Sequence, residues 1–142
     1  MNFKGIIMKN SKALVLILFV AGVMLSFFGG FAAFFPEAYT GRHDISILGN
    51  VNLYNEFRGT GGLMLASGLL ILLGAFIKEL AYTATIVAAV NFLLFALARV
   101  FSIFVDGVPV DGIIRATAVE MLVGLICTWA FFKYRNVIKA KE

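Results

Sequence analysis

The sequence predicts an all-α protein: a four-transmembrane-helix antiparallel bundle with both termini cytoplasmic, forming one integral membrane domain over residues 1–142. Three observations carry that prediction. Of 142 residues, 61% are hydrophobic and 14% charged, with a mean hydropathy of +0.97, which is more apolar surface than a water-soluble domain of this size can hide. The apolar residues gather into spans at about 14–35, 55–77, 81–105 and 113–132, each near the roughly 20 residues a helix needs to cross a bilayer core. The Lys and Arg residues are in excess on one side of those spans.

The first span follows Lys4, Lys9 and Lys12. Its apolar run exceeds the roughly 7–15 residues of a signal-peptide core, so an uncleaved helix is expected. Residues 1–10, with Phe3, Ile6, Ile7 and Met8 among lysines, are expected to lie along the interface as an amphipathic turn or two. Pro36 ends the helix because it cannot continue the hydrogen-bond ladder. The second apolar run begins only at Gly61, so its helix is expected to start earlier, around Asn52 or Tyr54, with Asn52 as the cap. The joint at Lys78–Glu79 and the one at 106–112 are short, which forces the third and fourth helices to lie antiparallel to their predecessors. Gly22, Ser26 and Gly30 on the first helix, and Gly62 and Ala66 on the second, mark close backbone approach, inside the bundle or at a dimer seam.

Cytoplasmic flanks of membrane helices hold the excess of Lys and Arg. One side holds Lys4, Lys9, Lys12, Lys78, Lys133, Arg135, Lys139 and Lys141 against Glu79 and Glu142. The other holds Arg42, Arg58, Arg99 and Arg115 against Glu37, Asp44, Glu56, Asp106, Asp111 and Glu120. The sides carry +6 and −2; both termini go inside, and the location expected is the cytoplasmic (inner) membrane, multi-pass.

Two ionisable residues fall inside the spans, Arg99 and Glu120. Each costs roughly 2.5–3.5 kcal/mol on insertion scales unless it faces the bundle and finds a partner. Counted at 1.5 Å per residue, both sit roughly 8–11 Å below the outer boundary, on consecutive antiparallel helices. They are expected to pair, with geometry open to two parallel hydrogen bonds. Glu56, Arg58 and Asp106 lie at the same end, so the candidate binding set is Glu56, Arg58, Arg99, Asp106 and Glu120. Glu56 and Arg58 are two apart, so only one can turn inward. On the fourth helix, Ile113, Ala116, Thr117, Gly124 and Cys127 share the face of Glu120, while Val119, Leu122, Ile126 and Trp129 suit lipid. Asn91, mid-way along the third helix, is expected to hydrogen-bond between helices. The lone cysteine, Cys127, and the lone histidine, His43, form no metal-ligand spacing and no nucleophile pair. No catalytic residue, metal or cofactor is assigned.

The run Glu56-Phe57-Arg58-Gly59-Thr60-Gly61-Gly62, then Arg99-Val100-Phe101-Ser102, Asp106-Gly107-Val108-Pro109 and finally Glu120, resembles the uncharacterised bacterial four-helix membrane family called domain of unknown function 4345. The likeness runs from about Pro36 to Phe132 and implies a fold but no reaction. A looser architectural similarity links the chain to DoxX-like membrane proteins, some associated with quinone or thiol oxidation; this chain departs from them in lacking paired cysteines.

Three function classes follow. The first is a non-enzymatic membrane module, either an accessory subunit or a binder of a lipid or small amphiphile at the outward Arg/Glu cluster. The second is a membrane enzyme with Glu120 as acid or base on a lipid-soluble substrate. The third is an oligomeric transporter, although no interrupted helix pair or inverted repeat supports it. The partners expected are membrane lipids together with a larger membrane complex or a homo-oligomer. Nucleic acid is excluded because the basic residues flank spans rather than forming an aromatic-interleaved polar surface.

Overall fold

The computed structural model describes residues 3–8 and 11–139. A short strand, β1 (Phe3–Met8), leads into α1 (Lys12–Phe34). A short helix, α2 (Pro36–Gly41), and a loop lead to α3 (Val51–Phe76). After a 3-10 turn at Lys78–Leu80 come α4 (Ala81–Asp106) and α5 (Asp111–Tyr134), and β2 (Arg135–Lys139) closes the chain. The four long helices, α1, α3, α4 and α5, are each long and apolar enough to cross a membrane. Their outward faces, including Leu16, Phe27, Leu63, Leu94 and Leu122, are as apolar as their inward ones. Helices apolar all round belong in lipid: this is a multipass membrane protein.

Helix ends follow local chemistry. Phe35 donates its N–H to the Phe31 carbonyl at 2.9 Å, and Pro36, with no N–H, stops α1 there and opens α2 as its first residue. The cap of α3 is Asn50, whose side-chain oxygen accepts from the Leu53 N–H at 3.1 Å, two residues before the expected Asn52. Gly107 turns the chain from α4 toward α5 with φ of 105°, a conformation open mainly to glycine.

The expected amphipathic turns at the N-terminus are corrected for Phe3–Met8, which pairs antiparallel with β2, Met8 opposite Arg135 and Ile6 opposite Val137. The rest of that segment, Met1, Asn2, Lys9 and Asn10, lies outside the described residues. The ribbon, which joins the start of α1 to the end of α5, marks one end of the bundle. The α2 segment and the α4–α5 turn form the other end.

α1 packs chiefly on α3, and α4 on α5, with α3 and α4 joining the two pairs. Along α1–α3 the backbones nearly touch. A Cβ at Gly22 would fall 2.8 Å from the Leu72 nitrogen. One at Gly29, Gly61 or Gly68 would strike the backbone of Leu65, Ala33 or Ser26 respectively. The small-residue seam is therefore internal, and it runs through Gly29, Gly61 and Gly68 rather than Gly30 and Gly62, which have open space or a distant neighbour. Gly61 and Gly68 are seven apart and stay on one helix face better than a spacing of four. Towards the terminal end, Leu14, Leu18, Ile71, Ala84, Ala88 and Cys127 form a continuous packed core.

Candidate functional site: a cationic cavity at the end away from the termini

The packed core stops part-way along the bundle. Beyond it lies a cavity of about 550 Å³ between α1, α2, α4 and α5, with Met64 of α3 at its floor. Its deep wall is apolar: Met24, Leu25, Phe28, Phe92 and Phe95. Arg42, Arg99, Arg115 and His43 line it as well, with Glu120 its sole carboxylate. Arg42 and Arg115 are exposed, whereas Arg99 and Glu120 retain 21% and 15% of their side-chain surface.

Each basic group is delivered by a different element. Arg42 follows α2, its guanidinium 5.8 Å from the Phe28 ring and 5.9 Å from Phe31, within the range where a ring face attracts a cation. Arg99 sits seven residues before the end of α4, about 10 Å deep, and lies 5.6 Å from the Phe95 ring. Arg115 is in the first turns of α5. His43 stacks edge-on with Tyr39 at 6.3 Å and packs beside Gly112. Burial first, then the nearby Arg99 and Arg42 charges, lower the His43 pKa below its ordinary 6.5, with Asp44 opposing.

Arg99 Nε lies 3.2 Å from Glu120 Oε2, an ion pair through a single nitrogen rather than a two-bond fork. The contact lacks the angles of a hydrogen bond: both atoms are buried without a hydrogen-bond partner, as is His43 Nδ1. Buried polar atoms cost free energy unless they are bonded. Arg99 Nε and Glu120 Oε2 offset each other's charge across the ion pair, which leaves His43 Nδ1 as the cavity-lining polar atom with neither an ionic nor a hydrogen-bond partner.

The other sequence candidates stand elsewhere. Arg58 Nη1 donates to the Ala33 carbonyl at 2.7 Å, satisfying an oxygen at the end of α1 that has no partner in its own helix. Glu56 faces solvent. Asp106 accepts from the Ser102 hydroxyl at 2.8 Å at the exposed end of α4. Asn91 lines the cavity, but its amide donates back to the Val87 carbonyl at 2.9 Å within its own helix, not across to a neighbour. Sequence reading missed Arg42, His43 and Arg115 as site residues. The signal was there in Tyr39-x-x-Arg42-His43, a cluster of aromatic and basic residues in the single long connection.

The sequence matches the family described as domain of unknown function 4345 over residues 13–131. The chain belongs to that family. No curated protein and no solved structure matches it. In this member of the family, the matched region contains all four long helices almost entire, the cavity and every residue that carried the sequence resemblance.

Proposed function

We propose that this protein binds an amphiphile with an anionic head and an apolar body, and that the cavity is the binding site. The observation that carries the reading is the graded lining of the 550 Å³ space: three arginines and one carboxylate towards one end, methionine and phenylalanine beyond them. A guanidinium matches carboxylate or phosphate oxygens, and the apolar wall takes the tail. We place the protein in the cytoplasmic membrane with its termini inside, on the strength of the Lys and Arg excess at that end, so the cavity opens outward. Arg99 and Glu120 lie in the proposed site; Glu56, Arg58 and Asp106 support the bundle around it.

One observation favours a second reading. Glu120 lines the cavity, with its Oε2 ion-paired to Arg99 but accepting no hydrogen bond, and a carboxylate so placed is within reach of a proton on a bound lipid-soluble substrate. Transport through a single chain is disfavoured, since the core at the terminal end fills the path.

The test is native mass spectrometry of protein extracted with its own lipids, comparing wild type with the Arg42→Ala, Arg115→Ala double variant. Both side chains are exposed, so the fold persists. A stoichiometric anionic amphiphile on wild type, lost in the variant, supports binding. Wild type flying bare overturns it.

A further inference from the structure

The cavity shares a wall with the lipid-facing surface of the bundle. Asn91, Phe95 and Arg99 line it on one side and on the other line a groove along the outer surface of α4. That groove continues over Val90, Leu94, Ala98 and Ser102. It runs from Ser102 near the helix end to Val90 at mid-helix, about 18 Å at 1.5 Å per residue, the direction in which an acyl chain descends toward the midplane. Leu94 is 60% exposed, and Ala98 is exposed as well. Nothing else in the described chain packs over this strip, and in a bilayer its neighbour is a lipid.

Size decides what occupies the two spaces together. At about 550 Å³ the cavity is of the size that holds one drug-sized molecule. A two-chain phospholipid is too large to enter whole, but one chain fits if the other stays outside. Arg99 stands at the junction of cavity and groove, where the two chains of such a lipid would diverge from its head. With His43 neutral, the cavity lining carries three guanidinium charges against one carboxylate, so an anionic head is favoured over a zwitterionic one.

We propose that the ligand is a two-chain anionic phospholipid of the surrounding leaflet that straddles α4, its phosphate at Arg99, one chain in the cavity and the other in the α4 groove. This rests on the amphiphile-binding reading and names its ligand class.

The test reconstitutes wild type, Ala98→Trp and Leu94→Trp in detergent with dioleoyl phosphatidylglycerol, its single-chain lyso form or dioleoyl phosphatidylcholine, and reads bound lipid by native mass spectrometry. Both substitutions fill the groove from a lipid-facing position, and a thermal midpoint equal to wild type checks the fold of each. The result expected is a tenfold or greater loss of phosphatidylglycerol in both variants, with the lyso form retained and phosphatidylcholine weak throughout. Phosphatidylglycerol bound equally by wild type and both variants overturns the groove assignment and leaves amphiphile binding standing, as does equal loss of the two-chain and single-chain forms. Phosphatidylcholine bound as well as phosphatidylglycerol overturns the anionic-head assignment. Wild type that binds neither anionic lipid overturns the amphiphile reading itself.

Discussion

The α1–α3 and α4–α5 pairs solve the same problem, holding two helices together where lipid is as apolar as any side chain, in opposite ways. Between α1 and α3 glycines let backbone meet backbone at Gly29, Gly61 and Gly68, and dispersion across that close contact supplies the attraction. Between α4 and α5 a similar contact, Gly124 against Leu93, serves only the half nearer the termini. Towards the other end the pair is joined by Arg99 and Glu120 beside an open cavity. A charge pair is a poor adhesive in hydrocarbon, since desolvation offsets much of its attraction. The first seam is therefore built for stability, and the second gives up packing for a polar site.

The sharpest way to break that contrast is at the glycine seam. Gly61→Leu places a side chain against the Ala33 and Gly29 backbones, which cannot yield as a flexible side chain could, and should cost about 3 kcal/mol or more. Thermal unfolding in detergent reads it; a wild-type midpoint would show that α1 and α3 are not held this way.

Next comes the charged pair. Glu120→Ala leaves Arg99 uncompensated, and because the pair keeps some exposure the loss should be about 2 kcal/mol, between surface and fully buried pairs. Glu120→Gln should cost less. Replacing Arg99 and Glu120 together by Met should be milder than Glu120→Ala alone, since no charge is stranded; a larger loss would make the pair a structural necessity.

Arg115→Ala should leave the midpoint unchanged, its side chain being exposed, and weaken binding of an anionic amphiphile about tenfold, roughly 1.4 kcal/mol. An unchanged affinity, measured by titration in detergent, would remove α5's first turns from the site.

The smallest effect concerns His43. Its pKa is lowered in the fold, so the unfolded chain takes up a proton first as pH falls. Its contribution to stability is therefore full above pH 6.5 and declines as pH drops through the lowered folded value. His43→Gln should flatten the pH dependence of the midpoint in that window, and an unaltered profile would show that His43 does not titrate there.

The membrane class and the number of helices were legible because hydrophobic length and short joints are local properties, and Gly22 and Ser26 rightly marked α1 as a packing surface. The pairing of Arg99 with Glu120 was legible too, since depth can be counted along helices joined by a short turn. Other details were not. Gly29 and Gly61 differ from Gly30 and Gly62 by one position, a rotation of about 100°, and only the mutual orientation of α1 and α3 selects between them. Arg58 looked like a site residue because its end of α3 was right, but the Ala33 carbonyl that captures it belongs to another helix.

By itself, then, the sequence determined that four apolar helices cross a membrane and that an arginine and a glutamate meet at one depth within them, because burial cost and helix rise act on each segment alone. The tertiary structure decided that α2 folds back to bring Arg42 and His43 over that pair, that Arg115 joins them, and that a cavity with a lipid-facing groove lies beside it. Those depend on how far apart the helices stand, and that distance is set where side chains and backbones from distant parts of the chain come into contact.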